Sequence, residues 1–262
     1  MIKNFFLGLL LLVGFLVQAQ SQPNTPSFEK KIFLSDKGSL PYAILLPENY
    51  DPEKKYPLVL FLHGAGERGD DNELQLVHGS SLFTAASFRA KYPAIVVFPQ
   101  CAKEDYWSNV KKEATKAGGV QFSFYKRGKP TTAMNLLEGL IETLSVSFRL
   151  DPDRYYVGGL SMGGMGTFEL VKRNPRMFAA AFPICGGAAT KRMRRFKKTA
   201  WWVFHGAADP VVPYEFSSEM VKGLEHVGAK VRFSLYQGVG HNSWDNAFSE
   251  AALFPWLFAQ SK

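Results

Sequence analysis

Residues 155–166 read Tyr-Tyr-Val-Gly-Gly-Leu-Ser-Met-Gly-Gly-Met-Gly, an apolar stretch that runs into a glycine-rich turn. Such a stretch fits a buried strand that breaks sharply into a helix. That corner brings the flanking backbone so close that side chains two residues before or after it would collide. Gly159 and Gly163 occupy those two positions around Ser161, giving the G-x-S-x-G pattern of a nucleophile elbow. The following helix would present unpaired N–H groups and its positive end to an oxyanion formed at the serine. Ordinary strand-to-helix turns also produce this pattern, so the rest of the chain decides its meaning.

Unbroken apolar runs recur at 58–62, 94–98, 178–184 and 200–204, and 231–236 reads as a further strand. Runs without polar alternation fit strands covered on both faces. Segments 30–34 and 41–46 read as an edge hairpin turning at Asp36-Lys37-Gly38-Ser39. Helices are expected over 70–91, with an interruption at Gly79-Ser80-Ser81, and over 134–148, where Leu136, Leu137, Leu140, Ile141 and Leu144 share one face. Further helices are expected over 217–227 and 247–258, and a turn at Asp151-Pro152-Asp153 precedes the elbow strand. Alternating strands and helices predict an α/β fold, a mostly parallel central sheet of about eight strands with helices on both faces. The 262 residues, 46% of them hydrophobic, suffice for one domain with a sizeable core.

The first residues do not fit that domain. Lys3 is followed by an apolar run from Phe5 to Val17, too short for a comfortable membrane span, and Val17-Gln18-Ala19 supplies small residues for cleavage. Residues 1–19 therefore read as a signal peptide and 20–27 as a linker, leaving 28–262 as the folded domain of an exported, periplasmic or secreted protein. No stable membrane insertion is expected after cleavage. Much of the net charge of +8 lies in Lys191-Arg192-Met193-Arg194-Arg195-Phe196-Lys197-Lys198. A run of this kind between two strands reads as a solvated face, and no nucleic-acid partner is expected. Cys101 and Cys185 each follow a strand; if those strands are three places apart in the sheet, about 14 Å separates them. A disulfide needs Cα atoms within about 7 Å, so two separate thiols are expected.

Residues 103–130 interrupt the strand–helix rhythm. They carry Tyr106-Trp107, charges at 111–116 and the alternating aromatics Phe122, Phe124 and Tyr125. An aperiodic insertion of this length reads as a loop, often a lid or binding loop.

A serine hydroxyl needs a base, and the base an orienting acid. Beyond the strand at 200–204 stands Asp209, and beyond the strand at 231–236 stands His241, so Ser161, Asp209 and His241 all fall at strand C-terminal ends in the order this chemistry takes on an α/β sheet. His205 closes a strand ahead of the acid and is expected to pack or hydrogen-bond beneath Asp209. The oxyanion requires two donors, expected to be the N–H of Met162 and the N–H of Ala65 in the glycine-rich loop His63-Gly64-Ala65-Gly66. Tyr106, Trp107, Phe124 and Trp244 are candidate substrate contacts. Neither a metal nor an organic cofactor is expected.

His63-Gly-Ala-Gly-Glu-Arg-Gly, Pro99-Gln-Cys, Asp151-Pro-Asp-Arg-Tyr, Gly159-Leu-Ser-Met-Gly-Gly-Met-Gly, Phe178-Ala-Ala-Ala-Phe-Pro-Ile-Cys-Gly-Gly, Phe204-His-Gly-Ala-Ala-Asp and Gly240-His together resemble the α/β-hydrolase superfamily. More narrowly, they resemble small secreted bacterial esterases related to dienelactone hydrolases and to the catalytic domain of prolyl oligopeptidases, variously labelled predicted peptidase, phospholipase/carboxylesterase or feruloyl-esterase-like. The resemblance runs from about residue 28 to 258 and departs at the 103–130 insertion. It implies an α/β-hydrolase fold and a serine hydrolase of carboxylic esters, acting on a small-molecule or polysaccharide-linked ester. Alternatives are a peptidase for short peptides and a catalytically silent binding protein on the same scaffold.

Overall fold

The computed structural model describes residues 27–114, 120–125 and 128–262. The signal peptide and most of the linker expected at the N-terminus lie outside the described residues. The strands are β1 (Glu29–Ser35), β2 (Gly38–Leu45), β3 (Tyr56–Leu62), β4 (Ile95–Pro99), β5 (Val110–Ala114), β6 (Val120–Phe124), β7 (Leu150–Leu160), β8 (Ala180–Ile184), β9 (Ala200–Gly206) and β10 (Val231–Tyr236). Eight of them form one sheet in the order β1-β2-β4-β3-β7-β8-β9-β10. β1 and β2 pair antiparallel, as does β2 with β4, and all pairs from β4 to β10 are parallel. This is the α/β-hydrolase arrangement, with β3 beside the elbow strand β7.

The helices are α1 (Ser80–Thr84), α2 (Ala86–Lys91), α3 (Thr132–Ser147), α4 (Met162–Arg173), α5 (Glu215–His226), α6 (Trp244–Phe248) and α7 (Leu253–Phe258). Strand β3 shows why its run is unbroken: Leu58, Leu60 and Leu62 enter one core with α3 and α4, while Val59 and Phe61 enter the other with α7. Successive strand residues point to opposite faces, so a sheet covered on both sides needs apolar residues at every position. Helix α3 starts at Thr132, two residues ahead of the expected 134, because Thr131 Oγ1 accepts from the Met134 N–H at 3.1 Å and Asp105 Oδ2 accepts from the Ala133 N–H at 2.6 Å.

Four local expectations are corrected. Residues 70–79 are turns with a short 3-10 segment, Leu74–Leu76, rather than helix. Asp71 Oδ1 accepts the N–H groups of Glu73 and Leu74, and Gly79 sits at φ 82°, so the expected interruption is where helix begins. The 247–258 helix is two helices, and Pro255 stands in the first turn of α7, where a missing N–H costs no helical bond. The turn at 151–153 lies within β7, as an irregularity in pairing with β3 between Tyr56 and Leu58. The 103–130 insertion is not an aperiodic loop: β5 and β6 form an antiparallel hairpin in which Val110 faces Phe124 and Lys112 faces Phe122. The alternation of Val120, Phe122 and Phe124 is its strand signal.

Cys101 and Cys185 are free and buried, at the ends of strands three places apart. Burial pushes both thiols up, far from the thiolate. Among the described residues no helix is long and apolar enough to cross a membrane.

Candidate active site

The corner between β7 and α4 holds Ser161 at φ 53° and ψ −113°, a backbone conformation rare for a residue with a side chain. Its N–H donates to the Ile184 carbonyl at 2.9 Å, and its carbonyl accepts from the Met165 N–H at 3.0 Å. The glycines on either side are obligatory. A Cβ on Gly159 would stand 2.5 Å from the Gly163 carbonyl oxygen, and one on Gly163 would stand 1.9 Å from that of Leu62. β3 thus presses against the elbow from its neighbouring place in the sheet.

The loops after β9 and β10 bring Asp209 and His241 to this corner. His241 Nε2 lies 2.9 Å from Ser161 Oγ, and His241 Nδ1 lies 2.7 Å from Asp209 Oδ2. The Asp209 side chain is fully buried and that of His241 is 20% exposed. Burial raises the Asp209 pKa, but hydrogen bonds from His205, His241 and the N–H groups of Val212 and Val211 more than reverse it, so the carboxyl is held below its usual range. Asp209 is therefore an anion that fixes the His241 Nδ1–H, which turns Nε2 toward Ser161 Oγ. His205 packs beneath Asp209 as expected, with Nδ1 2.7 Å from Ser217 Oγ and Nε2 2.9 Å from the Val212 carbonyl oxygen. Cys185 Sγ lies within 4.8 Å of the Asp209 and His241 atoms.

Ala65 opens a 3-10 turn, Ala65–Glu67, and Met162 opens α4. The first N–H groups of a helical turn have no acceptor within it. The loop that carries Ala65 is tied down from several directions. His63 Nδ1–H donates to the Gly64 carbonyl at 2.6 Å, and the Cys101 N–H donates to His63 Nε2 at 2.9 Å. Arg68 donates from Nε to the Ala65 carbonyl and from Nη1 to the Asp105 carbonyl. Gln100 donates to Asp71 Oδ1 and to the Glu67 carbonyl. Burial pushes the His63 pKa down to about 4, with Gly64 opposing and Arg68 adding, so a neutral imidazole anchors this loop. The sequence offers no local sign of that role, because the Cys101 partner is 38 positions away.

The four aromatic candidates separate. Trp107 is wholly buried, with its ring 5.4 Å from that of His63 and its Cβ against Gly166, so it belongs to the core and presents nothing to a substrate. Trp244 packs edge-on to His241 with centroids 5.5 Å apart. Tyr106 Oη lies 3.8 Å from Met165 Sδ, and burial raises its pKa to about 12. Phe124 packs edge-on to Phe216 at 5.2 Å. Phe122, Met165 and Val212, absent from the expected contacts, form a small apolar cluster with Tyr106, Phe124 and Phe216. It adjoins the triad, since Met165 bonds the Ser161 carbonyl and the Val212 N–H bonds Asp209. The shared face of Phe122 and Phe124, two residues apart, was its available signal.

Residues 49–254 match the phospholipase/carboxylesterase family. The chain belongs to that family. Within it and around it, a probable feruloyl esterase C of Aspergillus terreus is 26% identical over 181 residues, 68% of this chain and 58% of that protein. A probable carboxylesterase of Oryza sativa subsp. japonica is 25% identical over 72% of this chain and 83% of that protein. The crystal structure of a thermostable esterase superposes with a TM-score of 0.81 and 35% identity, covering 90% of this chain and 64% of that one. The chain thus spans about three-fifths of the Aspergillus protein and of the thermostable esterase. The phospholipase/carboxylesterase match takes in Ser161, Asp209 and His241 together with the loop that carries Ala65.

Proposed function

We propose that this member of the phospholipase/carboxylesterase family is an exported serine esterase. The reading rests on the hydrogen-bonded line Ser161 Oγ, His241 Nε2, His241 Nδ1, Asp209 Oδ2, with contacts of 2.9 and 2.7 Å. Ser161 Oγ attacks the ester carbonyl carbon as His241 Nε2 takes its proton. The N–H groups of Met162 and Ala65 receive the oxyanion, each worth roughly 10²- to 10³-fold in rate. Collapse expels the alcohol, which receives the proton from His241. Water, deprotonated by His241, then attacks the acyl-enzyme and releases the carboxylic acid and free Ser161. Asp209, an anion throughout, stabilises the imidazolium of each transfer.

Relatives named as feruloyl esterases favour hydroxycinnamoyl esters as the substrate class, with acetyl esters on polysaccharide the second class to test. Tyr106, Phe124 and Trp244, joined by Phe122, are the proposed walls for the acyl or alcohol group. Ser161→Ala should abolish turnover of p-nitrophenyl acetate and labelling by a fluorophosphonate, while the wild type shows both; unchanged turnover in the variant overturns the assignment. Methyl ferulate, acetylated xylan and a series of p-nitrophenyl acyl esters separate the substrate classes.

A further inference from the structure

At the far end of α4 from Ser161, a cavity of about 430 Å³ opens between α3, α4, the turn around Arg192 and the end of the insertion near Gly128. Helix α4 has 12 residues, so at 1.5 Å per residue its end is about 17 Å from the serine. Lys172, Arg173, Arg192 and Arg195 line the cavity against two carboxylates, Glu138 and Glu169.

Most of these groups are already engaged. Glu169 pairs with Arg173 at 2.7 Å, and Glu138 Oε1 accepts from Asn174 Nδ2 at 2.8 Å. Arg195 donates to the main-chain carbonyls of Lys172 and Arg173, covering the negative end of α4 that would repel an anion. Lys172 and Arg192 remain. Lys172 is only 9% exposed, and its ammonium reaches one described acceptor, the Tyr125 carbonyl, at 3.4 Å. Arg192 has no carboxylate within 4.0 Å among the described residues. Burial lowers the Lys172 pKa, Glu169 opposes, and Arg173, Arg192 and Arg195 add to the shift. A desolvated cation whose neighbouring carboxylate, Glu169, is already paired with Arg173 is costly, and an oxyanion would relieve that cost.

We propose that this cavity binds a small oxyanion, a phosphate or the carboxylate of a uronic acid, between Lys172 and Arg192. The guanidinium fork suits two oxygens of one such group, and the ammonium supplies a point charge. The bound anion also braces the insertion, because Lys172 and Arg173 hold the carbonyls of Tyr125 and Gly128 at its C-terminal end. That segment continues from the strand carrying Phe122 and Phe124.

Isothermal titration of the full chain with inorganic phosphate, against chloride at matched ionic strength, tests the proposal without any catalytic readout. Saturable one-site binding near about 1 mM is expected, weakened about tenfold in Arg192→Gln. Arg192 is exposed on a turn, so this variant keeps the test valid if the more buried Lys172→Gln does not fold. Glucuronate binding with the same dependence on Arg192 identifies uronates as ligands, and phosphate binding alone identifies free phosphate. The site is refuted if neither anion binds saturably, or if Arg192→Gln binds as the wild type does.

Discussion

His205 Nε2 lies 3.2 Å from Asp209 Oδ2, and both side chains are fully buried. The same carboxylate oxygen accepts from His241 at 2.7 Å. Asp209 is therefore held between two imidazoles, one reaching onward to Ser161 and one locked by Ser217 and Val212. His205→Gln removes a positioning contact without touching any reacting atom. Hydrogen bonds to charged groups contribute about 1.5–3 kcal/mol, so kcat on p-nitrophenyl acetate should fall roughly 10- to 100-fold. KM should barely change, and equal losses in kcat and 1/KM would argue against positioning.

The elbow glycines predict an asymmetric response to one added methyl. Gly163→Ala forces a Cβ to within 1.9 Å of the Leu62 carbonyl oxygen, whereas a Cβ at Gly66 meets nothing within 4 Å. Urea unfolding should show a loss of about 3 kcal/mol or more for Gly163→Ala, and a change within about 0.5 kcal/mol for Gly66→Ala. Comparable midpoints for the two variants would contradict the close approach of β3 to the elbow.

The buried neutral His63 makes stability fall with acid. Its folded pKa of about 4 lies below the ordinary 6.5, so between those values the unfolded chain binds a proton the folded chain refuses. Stability is full above about pH 6.5 and falls by about 3 kcal/mol as pH drops to about 4. Asp209, whose pKa is depressed, contributes stability that is lost only as pH falls below 3.8. In His63→Gln the loss between pH 6.5 and 4.5 should be shallower; an unchanged slope in urea midpoints would count against His63 as its source.

The hairpin makes the fourth prediction. Phe122 and Phe124 stack at 6.5 Å and close a cluster beside the triad. If they line the acyl pocket, replacing both by Ala should raise KM for methyl ferulate about three- to tenfold while leaving p-nitrophenyl acetate nearly unaffected. A uniform change for both esters would place the pair outside the pocket.

The sheet and the corner at Ser161 were legible because they depend on local properties. Unbroken apolar runs demand burial on both faces, as Leu58 to Leu62 show, and G-x-S-x-G marks a corner crowded by its own backbone and by Leu62 of the neighbouring strand. Asp209 and His241 could be chosen from their positions after two strands. The hairpin is hard to read in the sequence because the charged residues of β5, Lys111, Lys112 and Glu113, mask its period, leaving only the aromatics of β6 as a signal.

The sequence by itself determined the strand–helix alternation and the glycine-flanked corner at Ser161, since each is written within a few residues of chain. Only the tertiary structure decided that His63 anchors the loop carrying Ala65, that Trp107 is core, and that Lys172 and Arg192 share a cavity. Those facts depend on which strands are neighbours and how distant segments pack. His63 meets Cys101 across 38 positions and Ser161 meets His241 across 80, separations over which side-chain pairing is set by the whole sheet rather than by local propensity.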